Sequence, residues 1–144
     1  MFPKLALVKH LFPQEDYIGD VYEETTNNIK NIFENYSYDF RNKKIGLTVG
    51  SRGIKNYYSI VKAIVDQINN LGAQAVLIPS MGTHGGGNIE GQKELLRSLG
   101  ISEDDLNAVF IDSIDTKMIG KNNFGLKVYC NKECLNLDFI ILVF

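Results

Sequence analysis

The stretch 44–79 constrains the fold more than any other part of the chain. Lys44-Ile45-Gly46-Leu47-Thr48-Val49 is a short, mostly apolar run that predicts a strand, and Gly50-Ser51-Arg52-Gly53 is a turn. Residues 56–71 carry Tyr57, Ile60, Val61, Ile64, Val65, Ile68 and Leu71 at helical spacing, so one helix face is apolar. Gly72 stands where a helix-stopping glycine belongs, and residues 75–79 are the next apolar run. Strand, turn, helix, strand is a βαβ unit; its crossover is right-handed and its strands are parallel. The expected class is α/β, a Rossmann-like open sheet, mostly parallel, with helices on both faces.

The unit repeats. Ser80-Met81-Gly82-Thr83-His84-Gly85-Gly86-Gly87 leads into a helix at 88–99, with Asn88 as N-cap and Ile89, Leu95, Leu96 and Leu99 as its stripe. Gly100 stops it, and Ser102, with Asp105 three residues on, caps a further helical turn. Residues 108–111 predict a strand, 112–125 a loop or hairpin, 126–129 a short strand and 131–136 a helical turn. Residues 138–144 predict a fully buried strand. Upstream, 5–12 reads as an edge strand and 16–35 as a helix striped by Ile18, Val21, Tyr22, Thr25, Ile29, Ile32 and Phe33. Asp20, Glu23 and Glu24 suit the positive end of that helix dipole. No linker divides the chain, so 1–144 reads as one domain.

Composition excludes several functions. A net charge of −2 argues against a nucleic-acid surface, which is ordinarily strongly basic. No apolar run approaches the roughly 20 residues that span a bilayer, and the start lacks the pattern of a signal peptide, so a cytoplasmic protein is expected. Cys130 and Cys134 form an isolated CxxxC pair. Zinc sites want four ligands, so these are read as ordinary thiols and no metal site is expected.

Two loops carry the chemistry. In Val49-Gly50-Ser51-Arg52-Gly53-Ile54, Ser51 can donate a hydrogen bond and Arg52 offers a fork of donors suited to carboxylate or phosphate. The structural alternative is a tight turn with a solvated arginine. In the second loop, four glycines in six residues suggest a sharply bent backbone or one lying against a ligand. His84 there can carry protons near neutral pH, although no Asp or Ser partner is local in sequence. Both loops leave the carboxyl ends of adjacent predicted strands, where open α/β sheets bind ligands. The candidate site is therefore Ser51, Arg52, Gly53, Gly82, Thr83, His84, Gly85 and Gly86. Glu90 and Gln92 could reach the same crevice, and Asp112 and Asp115 are weaker candidates. His10 lies apart in the first predicted strand.

Three stretches carry a family resemblance. Gly50-Ser51-Arg52-Gly53-Ile54, Pro79-Ser80-Met81-Gly82-Thr83-His84-Gly85-Gly86 and Glu90-Gly91-Gln92 resemble motifs of the lactate-racemase-like family. Phe2-Pro3-Lys4 and Phe12-Pro13 are similar to one branch of it. The resemblance implies the N-terminal domain of a two-domain enzyme that racemises or epimerises 2-hydroxy acids with a nickel-pincer nucleotide. It implies that Arg52 binds the anionic end of cofactor or substrate. It also implies that His84 is one of two histidines that shuttle the substrate proton, with Ser51, Gly53, Gly82, Thr83, Gly85 and Gly86 on the cofactor side.

Val49 departs from the pattern, since the racemase carries an aspartate there. The family block with the cofactor lysine and nickel histidine would follow the last strand, so the chain is expected to be truncated, without its C-terminal domain and inactive alone. The partner expected is a small anionic molecule, a hydroxy acid or nucleotide phosphate. A bare edge on the last strand would be covered by a second copy of the chain. The alternatives are a non-catalytic small-anion-binding α/β module and a remnant serving only as a folded interaction domain.

Overall fold

The structure, a computed structural model, describes residues 19–143. The expected strand at 5–12, with His10, lies outside the described residues, as do Ile18 and Phe144. The elements in chain order are α1 (Val21–Glu34), β1 (Lys44–Val49), α2 (Tyr57–Asn70), β2 (Gln74–Pro79), α3 (Ile89–Ser98), α4 (Glu103–Leu106), β3 (Val109–Phe110), β4 (Thr116–Lys121), β5 (Lys127–Asn131) and β6 (Phe139–Ile141). Single 3-10 turns stand at His84–Gly87 and Glu133–Asn136.

Four parallel strands form the sheet, in the order β3-β2-β1-β6. Successive crossovers build outward from β1 to β2 to β3, and the chain then returns to the other side of β1. The strand order reverses at β1, as in doubly wound folds. The open Rossmann-like α/β class is the one observed. A separate antiparallel pair, β4 with β5, forms a hairpin whose register shifts between Met118 and Gly120. The region left open between loop and hairpin in the sequence is thus a bulged hairpin.

Alternation along β1 and β2 sorts the core. Ile45, Leu47 and Val49 of β1 are fully buried with Ala75 and Leu77 of β2, against Val61, Val65 and Ile68 of α2. Leu96, Ile101 and Leu106 extend this layer under α3 and α4. Val76 and Ile78 point to the opposite face, where Ile111, Ile89 and Leu137 meet them. That face is crowded at Gly46, where a Cβ would lie 2.6 Å from both Ile78 and Leu137 side-chain carbons. Truncating a fully buried leucine in such a core costs about 2–5 kcal/mol.

The caps of α3 and α4 and the stops at Gly72 and Gly100 follow the sequence reading, whereas α1 begins only at Val21, inside the helix expected from 16, because Asp20 is extended (φ −117°, ψ 106°) and caps it. Asp20 caps α1 by accepting from the Glu23 N–H, Asn88 caps α3 by accepting from Gly91, and Ser102 caps α4 by accepting from Asp105. Gly72 and Gly100 take left-handed φ of 74° and 81° just past their helices. Two side chains depart from the expected α3 stripe: Leu99 is exposed and Lys93 is buried. The Lys93 Nζ is satisfied by Asp112 Oδ1 at 2.7 Å, which ties α3 to the end of β3. α1 buries no residue completely; it leans on α2, where the Tyr22 hydroxyl donates to Asp66 at 2.7 Å.

The last strand corrects an expectation. Residues 138–144 read as a fully buried strand, yet β6 spans three residues, and Ile140 and Leu142 are exposed. An apolar run does not distinguish a central strand from an edge. β6 pairs only with β1, and so is an edge of the sheet that the described residues form. Its position is fixed at both ends. Thr48 Oγ1 accepts from the Val143 N–H at 2.8 Å, and the Asp138 carboxylate accepts from the Lys44 N–H at 2.9 Å and from Lys43 Nζ at 3.1 Å. Phe139 also packs edge-on against Tyr38, with ring centroids 5.0 Å apart.

The Lys44 N–H, followed by Lys43, holds the Asp138 carboxyl below its ordinary range. A carboxyl depressed in the folded state contributes stability that is present above its unfolded pKa and is lost as pH falls through the lower folded value. Asp138→Asn should therefore lower the melting temperature at about pH 7 and have a smaller effect at about pH 3, below the ordinary unfolded carboxylate pKa. Thermal denaturation of both proteins across that window checks this; equal losses at both pH values would contradict it.

Candidate functional site

A cavity of about 740 Å³ opens at the carboxyl end of β1, between the turn that leaves β1 and the glycine loop that leaves β2. Its wall includes Thr48, Ser51, Arg52, Tyr57, Met81 and His84, with Leu142 and Val143 beyond β6 on the far side. This is the crevice where the strand order reverses, the place where doubly wound sheets take ligands.

The structure joins the two loops directly. Ser51 Oγ lies 2.6 Å from His84 Nδ1, across a separation of 33 residues. The sequence offered His84 no local partner; the parallel register of β1 and β2 supplies one by bringing both strand ends side by side. Arg52 is exposed at the same mouth and forms no ion pair among the described residues. Gly50 and Gly82 line the cavity with them. Gly53, Thr83, Gly85 and Gly86, expected on the cofactor side, do not line it.

Each loop is held by a residue that motif reading undervalued. The Tyr57 hydroxyl accepts from the Gly50 N–H at 2.7 Å and so fixes the first turn from the start of α2. Burial raises the Tyr57 pKa, partly offset by that N–H. In the second loop the buried Gln92 donates from Nε2 to the Gly82 carbonyl at 2.8 Å. Gln92, which the sequence placed within reach of the crevice, holds the loop. Asp112 and Asp115 are absorbed in ion pairs with Lys93 and Lys132, and Glu90 is exposed.

The glycines divide into two kinds. Gly82, Gly85, Gly86 and Gly87 all have φ between 63° and 72°, the left-handed region that other residues seldom enter. Gly85 also packs on α3: a Cβ there would lie 2.4 Å from the Gly91 carbonyl carbon, and one on Gly91 would lie 2.0 Å from the Gly85 oxygen. This mutual contact accounts for glycine at 91 in Glu90-Gly91-Gln92. Gly50 and Gly53 differ. Neither has positive φ, and a Cβ on either meets nothing within 4 Å. The fold places no demand on them.

Val49, where the family resemblance expects an aspartate, is fully buried in the apolar core. A carboxylate at that point would be an unpaired buried charge, so the surroundings match valine. Among the described residues no three His, Cys, Asp or Glu side chains gather as a metal group. No described helix is long and apolar enough to cross a membrane. Comparison with protein-family models, with curated proteins and with solved structures found no match.

The two kinds of glycine predict opposite outcomes. Gly91→Ala should destabilise the chain by roughly 1–3 kcal/mol through overpacking and displace the His84 loop. Gly53→Ala should leave stability unchanged to within about 0.5 kcal/mol, as at open surface positions. Urea denaturation of the two variants checks both; a Gly91→Ala protein as stable as the parent would refute the packing account.

Proposed function

We propose that this chain is the N-terminal cofactor- and substrate-binding domain of a 2-hydroxy-acid racemase or epimerase of the lactate-racemase-like kind. The observation that carries the reading is the 2.6 Å contact between Ser51 and His84, beside an Arg52 that forms no ion pair among the described residues. It unites an anion-binding group and a proton carrier, the two functions that reaction asks of this half of a site. The resemblance motifs fall on these two loops and on the helix segment that braces one of them.

Arg52 and Ser51 hold the carboxylate of the hydroxy acid, the guanidinium through paired N–H donors and the serine through its hydroxyl. His84 takes the proton of the C2 hydroxyl as the C2 hydrogen leaves, and returns it when the hydrogen comes back on either face. The nickel-pincer nucleotide, when bound, supplies the acceptor for that hydrogen as hydride. The cavity volume suits a small molecule, and the open Cα position of Gly50, which lines it, lets a ligand group approach the backbone closely. With Val49 buried, the cofactor contact of the family aspartate has no counterpart at this position.

A second reading, a non-catalytic small-anion-binding module, draws on the exposure of Arg52 and His84. An open cradle suits capture and release, whereas hydride chemistry asks for exclusion of water.

Titration of the chain with lactate, followed by backbone amide NMR, tests the anion site common to both readings. Saturable shifts are expected at residues 50–54 and 82–84. Arg52→Ala should weaken binding about tenfold or more, the worth of a charge-assisted hydrogen bond. No saturable shift, or equal binding by Arg52→Ala, would overturn the site. Loss of racemase activity on His84→Ala, in a form of the protein that racemises lactate, separates the enzyme from the binding module.

A further inference from the structure

We infer that Ser51 is a positioning residue that decides which nitrogen of His84 can accept a proton, and that a carboxylate bound at Arg52 reverses the decision. The inference rests on the reading of this cavity as an anion site with His84 as its proton carrier.

The geometry gives Ser51 Oγ and the His84 ring one hydrogen bond between them and no other among the described residues. A neutral imidazole has one donor nitrogen and one acceptor nitrogen, and a hydroxyl can serve either. In the inferred resting arrangement the Ser51 hydroxyl donates to Nδ1; Nδ1 is then bare, and the ring proton sits on Nε2. In that state Nε2 is a donor and has no lone pair with which to take a proton.

A carboxylate at Arg52 changes the competition. Ser51 precedes Arg52 on the same turn and lines the same cavity. An ionised carboxylate is a stronger acceptor than a neutral ring nitrogen, so the Ser51 hydroxyl turns to it. Ser51 Oγ is then free to accept, and the His84 ring satisfies it by carrying its proton on Nδ1. One proton leaves Nε2 to solvent and one is taken up at Nδ1, so the ring stays neutral. Nε2 is left with a lone pair, ready for the substrate hydroxyl. The Nε2 of His84 is thereby a base only when a carboxylate is in place. An aspartate at position 51 could not work this way, because it would hold the proton on Nδ1 permanently. The two loops are braced for this contact, the first by Tyr57 on Gly50 and the second by Gln92 on Gly82.

Ring 15N NMR of the full chain tests the inference. A His10→Gln background leaves His84 as the one imidazole, and a pH of about 8 keeps an ordinary imidazole neutral. Without lactate, the spectrum should show a protonated Nε2 and a bare Nδ1; saturation with sodium lactate should exchange the two assignments. Ser51→Ala should still shift at residues 52–54 on adding lactate but show no exchange, and Ser51→Thr should restore it. An exchange that persists in Ser51→Ala, or a ring found with Nδ1 protonated before lactate is added, would overturn the inference. Bound lactate with an unchanged ring would also overturn it while leaving the anion site standing. Failure of lactate to bind at all would overturn the site and this inference together.

Discussion

Everything in this domain depends on β1 being paired on both sides. The chain builds from β1 out to β2 and β3 and then returns across the sheet, so that β6 pairs with the opposite edge of β1. That reversal parts the connections leaving neighbouring strands and opens a crevice above β1. The apolar alternation of Ile45, Leu47 and Val49 anchors the strand in the core. Thr48, pointing the other way, fastens β6 through the Val143 backbone. One six-residue strand thus determines the core, the edge and the site.

The parts of this plan legible in sequence are those governed by short-range periodicity. The α2 stripe, the caps at Asn88 and Ser102 and the stops at Gly72 and Gly100 depend on residues within a turn or two of one another. Local physical chemistry settles them. Two features escaped for a common reason: burial depends on partners distant in sequence. The run from Asp138 onward looks buried because it is apolar, but only neighbouring strands can bury it. Lys93 reads as a solvated position because it is charged, but the end of β3 brings Asp112 to its Nζ.

The site shows the same division. Arg52 and His84 announce themselves by residue type within glycine-rich turns, so the sequence alone nominates them. Their connection through Ser51 does not, because it needs the parallel register of β1 and β2 to set the two turns side by side. Gln92 and Tyr57 are harder still to foresee. Each sits on a helix where an ordinary structural role is sufficient, and each acts on a backbone group of a loop rather than on a ligand. The glycines give a further lesson. Those at 85 and 91 serve packing and those at 50 and 53 do not, a distinction that no motif expresses and that a hypothetical Cβ makes at once.

The lock between Gly85 and Gly91 has a thermodynamic consequence for recognition. A loop with four glycines in six residues would ordinarily keep more backbone entropy than any other segment of its length, and a ligand that ordered it would bind weakly for that reason. Here the loop is pinned to α3 by backbone contact, by the Asn88 side chain, which donates to the Gly85 and Gly86 carbonyls, and by Gln92, which donates to the Gly82 carbonyl. Its entropy is given up when the domain folds, not when a ligand arrives. A ligand in the cavity beside it would meet a loop already in its final shape.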